Sequence, residues 1–465
     1  MKALRLFLAL SCCAFASAAS AVDFCIIPCF LTPCSQYTWP TGAPPCDSSS
    51  TLQACVDNAS SGDTVQIATN SISESITLQK TLTLAAAQGF TPVFAAGKSI
   101  TAQGTTGCNT FTIEGLTLEQ GDIEVEQASG GSLNAQIVDN TIMSPSSKNG
   151  AIQLVGSGGA VGFDVSGNTI TIPYDETGVL EHETGIRIWP NVSALTGQVE
   201  DNSIDMQGIA GDDAIAITPF DPYQVDVIGN RISGTHYAGG IVAEQGSAQA
   251  AEVRILDNLV IGQTGSDGAI DVIYANTGTG TFDAIVANNT TADDLMGINF
   301  TFPLTPGAGS GYVANNIVYG AGIGISIDPS LSGLVPNLDN LLFANGQDFL
   351  GVTAGPGTIH ADPLFLDAPN GNYHLAAGSP AIDAGDDASV PADLTTDLDG
   401  SPRIQGAHVD IGAYETAPEP DAQVLAVTGL VALLGLGRGT AAPRRDKSLV
   451  SACARAGSTR SWSHE

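Results

Sequence analysis

One short pattern returns along the middle of this chain and limits its fold more than any other feature. It is apolar-x-x-Asn-x-apolar, read as IVDNTI ending at Ile142, VSGNTI at Ile170, VEDNSI at Ile204, VIGNRI at Ile232 and ILDNLV at Val260. Looser copies are IVANNT at Thr290 and YVANNI at Ile317, and another around Asn340 keeps only Leu342. The recurring asparagines are Asn140, Asn168, Asn202, Asn230, Asn258, Asn288, Asn315 and Asn340, at intervals of 28, 34, 28, 28, 30, 27 and 25. A second series of isoleucines, each after Gly or Ala, runs between them: Ile152, Ile186, Ile215, Ile241, Ile270, Ile298 and Ile323, at intervals of 34, 29, 26, 29, 28 and 25. The same 34 appears in both series, so one insertion, placed within 174–183, explains both.

Within each repeat, apolar and polar residues alternate over about four to six positions, the periodicity of strands. Gly, Asn, Asp and Ser punctuate them, and no long amphipathic helix interrupts 61–345. A repeat of this length with two or three short strands predicts an all-β fold: a right-handed, single-stranded parallel β-helix in which equivalent residues of successive coils lie about 4.8 Å apart. The recurrent Asn suits a sharp turn, because Asn tolerates left-handed backbone geometry. Stacked Asn amides also hydrogen-bond from coil to coil. Flanking Ile and Val would fill the interior.

The predicted organisation has five parts: 1–21 a signal peptide, 22–60 a Cys/Pro-rich segment with a capping helix, 61–345 the β-helix, 346–415 a C-terminal cap, and 416–465 a linker, hydrophobic segment and basic tail. Lys2 and Arg5 precede an apolar run and an Ala-x-Ala site, the order of a secretory signal. Of nine cysteines, six fall between the leader and the tail: Cys25, Cys29, Cys34, Cys46, Cys55 and Cys108. An even, clustered set in an exported chain predicts a disulfide-stapled cap whose pairing the sequence leaves open.

Thr51-Leu52-Gln53-Ala54-Cys55-Val56 followed by GDTVQIATNSISESITLQKTLTL at 62–84 resembles the entry coil of the pectate-lyase-like β-helix superfamily, with a helix as plug. Ala361-Asp362-Pro363-Leu364, GSPAIDAG at 378–385, DLDGSPR at 397–403 and VDIGAYE at 409–415 resemble the C-terminal region of the choice-of-anchor Q family. That resemblance implies an exported, surface-associated solenoid and no particular reaction. Pro418-Glu419-Pro420, an apolar stretch from 422 to 437 and then Arg438, Arg444 and Arg445 resemble a PEP-CTERM sorting signal. It implies membrane contact through this segment and processing by an exosortase-type enzyme, although the chain runs on to Glu465.

Charge narrows the partners. Residues 22–421 hold 46 of the 48 acids and 7 of the 15 bases, a net of −39. Such a body repels phosphate backbones, which excludes nucleic acid, and it points to a neutral polysaccharide or an acidic one bridged by Ca²⁺. Stacking the coils on the isoleucine series gathers Glu183, Asp212, Asp213, Asp267 and Asp271 into one strip, with Arg187, Trp189 and Glu244 on it and His236 near it. GDDAIAI at 211–217 resembles the paired-Asp motif of polygalacturonases, though the upstream Asn-Thr-Asp is replaced by Trp189-Pro190-Asn191-Val192 and only Gly234-Thr235-His236 stands downstream. Asp212, Asp213, Glu183 and Asp267 are the catalytic candidates of a glycoside hydrolase, since carboxyl pairs about 5–9.5 Å apart serve that chemistry. Trp189, Arg187, His236, Asp271 and Glu244 are the substrate-binding candidates. A polysaccharide lyase is the weaker reading, because Arg187, Arg231 and Arg254 fall at different points of the coil. Asp383, Asp386, Asp387, Asp397 and Asp399 offer hard oxygen ligands for Ca²⁺, with turn formation and an Arg403–Asp410 ion pair as the structural alternative. Three functions therefore stand after the sequence: a polysaccharide-binding surface protein, a glycan-cleaving enzyme, and a passive structural or adhesive rod.

Overall fold

The computed structural model describes residues 34–127, 130–143, 150–173, 184–207, 213–220, 222–234, 239–245, 250–265, 268–274, 280–301 and 308–417. These residues wind into a parallel β-helix. Its three faces are built from successive short strands, and each strand pairs in parallel with its counterpart one coil on. Two faces join through the long strand Ile152–Ser166 into a 22-stranded sheet, and the third is a 10-stranded sheet.

The isoleucine series forms one face. Ile152 pairs with Ile186, Ile186 with Ile215, Ile215 with Ile241, Ile241 with Ile270 and Ile270 with Ile298. The next partner is Ile325, not the expected Ile323, which pairs with Met296. Ile325 is the fully buried one, so continuity of the inward column fixes the register. The face also begins earlier than expected, at Ile76, Ile100 and Ile123. Alternate residues point inward, and Ile, Val, Leu and Phe form one continuous core from Cys46 to Leu342. Tyr274 lies 4.6 Å from Phe282 inside this column. Each such side chain removed from water contributes about 1.5–3 kcal/mol.

The asparagine series is a hydrogen-bonded ladder, with two positions corrected. Asn140, Asn168, Asn202, Asn230, Asn258, Asn289, Asn316 and Asn340 are all buried. In each step the backbone N–H and the Nδ2 group of one Asn donate to Oδ1 of the next, as Asn258 does to Asn289 at 2.9 and 3.0 Å. Nδ2 also donates back to a carbonyl of the preceding coil, as Asn202 does to Val165 at 2.9 Å. Asn288 and Asn315, the expected members, stand one place earlier. There the backbone is left-handed: φ is 54° at Asp139, 67° at Gly229, 55° at Asp257 and 56° at both Asn288 and Asn315. The two roles first given to one Asn are thus divided. The residue before it makes the left-handed turn, which Asp, Asn and Gly tolerate, and the Asn itself binds the coils together.

At the N-terminal end the helix Leu52–Asn58 buries Leu52, Cys55 and Val56 and starts at Thr51, whose side chain accepts from Ala54 N. Gln53 covers an otherwise open sheet edge: its Oε1 accepts from Thr77 N at 2.8 Å and its Nε2 donates to Thr77 O at 3.0 Å. Glu74 receives the N–H groups of Leu52 and Gln53. Cys46 and Cys55 form a disulfide, and Cys34 and Cys108 are each disulfide-bonded. Cys25 and Cys29 lie outside the described residues, as do the leader and the hydrophobic tail. Among the described residues no helix is long and apolar enough to cross a membrane.

Of the region 346–415 expected as a C-terminal cap, the part from 378 on lies along the side of the column as a strap over the left-handed turns. Gly412 N donates to Asn315 O, Asn288 Nδ2 to Asp410 O, and Arg403 reaches Asp257. Three small apolar clusters, among them Leu259 with Tyr373, Leu398 and Tyr414, seal it to the coils.

Candidate functional site

Three arginines expected to occupy different points of the coil do so. Arg187 is in Ile186–Ile188, Arg231 in Arg231–Ser233 and Arg254 in Ala251–Leu256, one on each face. Arg231 is tied to Asp399 at 2.8 Å, and Arg254 to Asp226 and Asp393 at 2.5 and 2.8 Å. Arg187 instead lies over the ring of Trp189, with its guanidinium carbon 4.3 Å from the centroid. Strand alternation turns Ile186 and Ile188 inward and Arg187 and Trp189 outward, and Trp189 is 41% exposed.

This pair belongs to an outward file along the isoleucine face. The register sets Gln153 beside Arg187 on one side and beside Glu124 on the other. The file at the next outward position runs Gln79, Gln103, Glu126, with side-chain contacts of 3.4 Å at each step. The Glu124 carboxyl is raised above its ordinary value, first by burial and then by the charges of Asp122 and Glu126. Glu124, Glu126 and Gln153 were not among the sequence candidates. The signal was present, since extending the isoleucine series back to Ile123 places both glutamates on its outward positions.

Of the strip predicted from the sequence, the structure unites some members and separates others. Asp271 is buried and accepts from Asn299 Nδ2 at 3.0 Å. Ala216 and Val242 stand between Arg187 and Asp271 in the register, so the two lie about 14 Å apart at one coil per 4.8 Å. Glu244 is two coils from Trp189, half-buried, and its carboxyl is raised by burial. Asp213 Oδ1 accepts from Gly239 N at 2.8 Å. Asp212, Glu183, Asp267 and His236 lie outside the described residues.

The five aspartates proposed as calcium ligands are dispersed along the strap. Asp383 accepts from Ala407 N and His408 N, Asp386 caps a short 3-10 turn, and Asp387 accepts from Val409 N and faces His408 Nδ1. Asp397 accepts from the N–H groups of Asp399, Ser401 and Glu415, and Asp399 pairs with Arg231 and His374. Among the described residues no three His, Cys, Asp or Glu side chains converge to hold a metal ion. Each of these carboxylates is instead taken up separately, Asp386 in a local turn, Asp383, Asp387 and Asp397 by backbone N–H groups, and Asp399 by Arg231 and His374.

Arg403 is the anchor of the strap and pairs differently from expectation. Only 2% exposed, it donates to Asp257 Oδ1 at 2.6 Å and Glu415 Oε1 at 2.8 Å, and to the backbone carbonyls of Asp410 and Gly412, not to the Asp410 carboxylate. Burial pushes the Glu415 carboxyl up to about 7, against the opposing pull of Arg403. Burial also raises Asp257 and Asp410.

The described residues thus define a parallel β-helix with a side strap. No family model matches the sequence, and no curated protein matches it. Among solved structures it is similar to one titled "Crystal structure of pectate lyase Pel9A", at 14% identity and a TM-score of 0.45, over 82% of this chain and 96% of that one. It is also similar to "The complex structure of XylC with xylose", at 9% identity and a TM-score of 0.35, over 82% of this chain and 99% of that one. Likeness at this level implies nothing about chemistry.

Proposed function

We propose that this is an exported, cell-surface β-helix protein that binds extracellular or envelope polysaccharide along its isoleucine face. The observation that carries the reading is the exposed Trp189 ring with Arg187 held over it, on the face whose earlier coils present Gln79, Gln103 and Glu126 outward. An exposed indole offers a sugar ring an apolar face, and the outward Gln and Glu side chains of the neighbouring coils offer its hydroxyls partners. The disulfide between Cys46 and Cys55 agrees with an oxidising compartment. The tail after 417 would then serve sorting, through membrane contact and an exosortase-type enzyme.

The test is a polysaccharide array of neutral and uronate polymers, probed with and without Ca²⁺, using the full chain and Trp189→Ala. Binding to at least one polymer, weakened about tenfold by the substitution, is expected, a change worth about 1.4 kcal/mol. Silence across the array sinks the reading. Release of reducing ends from a bound polymer would replace binding by hydrolysis, with Asp212, Asp213, Glu183 and Asp267 as the residues to vary.

A further inference from the structure

Two exposed aromatic rings stand in successive coils at the corner where the isoleucine face passes into the strand Asn191–Glu200 and its counterparts. Trp189 is 41% exposed and Phe220 49%. Each sits beside a buried proline, in Trp189-Pro190-Asn191 and Thr218-Pro219-Phe220. Continuing the register of Ile188 with Ile217 sets Pro190 beside Pro219. Phe220 is then one coil on and two residues along from Trp189, about 8 Å away. Proline fixes φ at about −65°, so both rings are carried on a stiff corner. The bend is open, because one coil earlier the strand Ile152–Ser166 runs through it unbroken. That strand leaves the near side of the corner bare, with Gly156, Ser157, Gly158 and Gly159 in sequence. A Cβ on Gly156 would stand 2.3 Å from Gln127 O, so the packing of the coils admits no side chain there.

The charges on either side narrow what the rings can hold. In the file through Trp189, Glu126 stands two coils before the indole and Glu244 two coils after it, each about 10 Å away. An anionic chain laid along the column would meet a carboxylate at both ends of the aromatic pair, whereas the hydroxyls of a neutral chain would find acceptors there. Arg187 covers one face of Trp189 and leaves the opposite face to a single sugar ring. Two aromatic rings in successive coils therefore call for at least two sugars, in a chain that stays extended across a stiff corner. Sugars with equatorial hydroxyls offer aromatic rings flat C–H faces, and β-1,4 linkage keeps successive faces in one ribbon. An α-1,4 glucan coils instead.

We infer that this corner binds a neutral, unbranched β-1,4-linked glycan as an extended chain, with one sugar on the face of Trp189 opposite Arg187 and a further sugar of the same chain on Phe220. This rests on the polysaccharide reading of the isoleucine face and names the class of its ligand.

The experiment is calorimetric titration of the full chain with cellohexaose, xylohexaose, maltohexaose and hexagalacturonate, and with cellobiose and xylobiose. Cellohexaose or xylohexaose is expected to bind, and its disaccharide about tenfold more weakly or less. Phe220→Ala should weaken the hexamer about fivefold, the scale of one lost stacking contact. Phe220→Leu, which keeps apolar bulk without a planar ring, should weaken it similarly, and Phe220→Tyr should bind as the parent does. Because Phe220 is exposed, all three should keep the urea midpoint of the parent. Full hexamer binding by Phe220→Ala or Phe220→Leu, equal binding of disaccharide and hexamer, preference for maltohexaose or hexagalacturonate, or no binding of either β-1,4 hexamer would each overturn the assignment. Trp189→Ala separates the two readings. Loss in that variant with none in Phe220→Ala removes the second contact alone, and unchanged binding in both removes the polysaccharide face as well.

Discussion

Asn202 donates both its backbone N–H and its Nδ2 to a single atom, Oδ1 of Asn230, at 3.1 and 3.0 Å. Its own Oδ1 takes the same pair of donors from Asn168. Every bond in this ladder is buried, so loss of one side chain strands donors on one coil and an acceptor on another.

Asn202→Ala is therefore expected to destabilise the column by about 3–5 kcal/mol, since each buried group left unpaired costs about 1–3 kcal/mol. Asp201→Gly, one residue earlier, keeps the left-handed turn and should cost under about 1 kcal/mol. Urea unfolding midpoints of the two variants decide it. Equal losses would show that the turn, not the ladder, holds the coils.

Arg403→Met leaves the Asp257 and Glu415 carboxyls without their cation. Breaking a buried pair in this way costs about 3–5 kcal/mol. The loss is expected to fall on the strap, because the ladder and core of 61–345 do not use Arg403. Hydrogen exchange should rise across 378–416 and stay unchanged in the strand Ala251–Leu256. Uniform acceleration across both would show that strap and column unfold together.

The strap should hold more firmly in mild acid than in mild alkali. Glu415 has an ordinary value of 4.5 and is pushed up to about 7 in the folded chain. Between those values the folded protein keeps a proton that the unfolded chain has released. The stabilisation is full below about 4.5 and is lost as pH rises through about 7. Asp257 and Asp410, also raised, act in the same direction. Melting temperatures at several pH values between 5 and 8 should fall as pH rises. Glu415→Gln, which keeps an acceptor for Arg403 and for Asp410 N, should flatten that slope.

Reduction of the Cys46–Cys55 disulfide, which closes a separation of nine residues, should cost about 2–3 kcal/mol. Because Cys55 is buried in the capping helix, the loss should appear first as exchange at Leu52–Asn58 and at the sheet edge that Gln53 covers. Protection there that survives the double Cys46→Ala, Cys55→Ala substitution would show that the Gln53 amide alone holds the cap.

The sequence by itself determined the winding. Apolar residues on a two-residue alternation and an Asn every coil can be satisfied together only by stacking, and the shared interval of 34 between Ile152 and Ile186 and between Asn168 and Asn202 already gave the pairing of two faces. Tertiary structure decided what a pattern of neighbours leaves degenerate. In Asn288-Asn289 and Asn315-Asn316 either residue fits the motif, and the unbroken line of amides selects the second of each. Ile325 replaces Ile323 because only it continues the inward column. The outward pairing of Arg187 with Trp189 was legible from strand alternation, whereas Glu124 joins that row only through Ile123, which lies before the repeated motif becomes regular. Arg403 and Asp257 are separated by 146 residues and belong to no repeat, so nothing local marks them as partners. Their meeting, and with it the anchoring of the strap, follows from the cost of burying a charge unpaired, which only the folded chain presents.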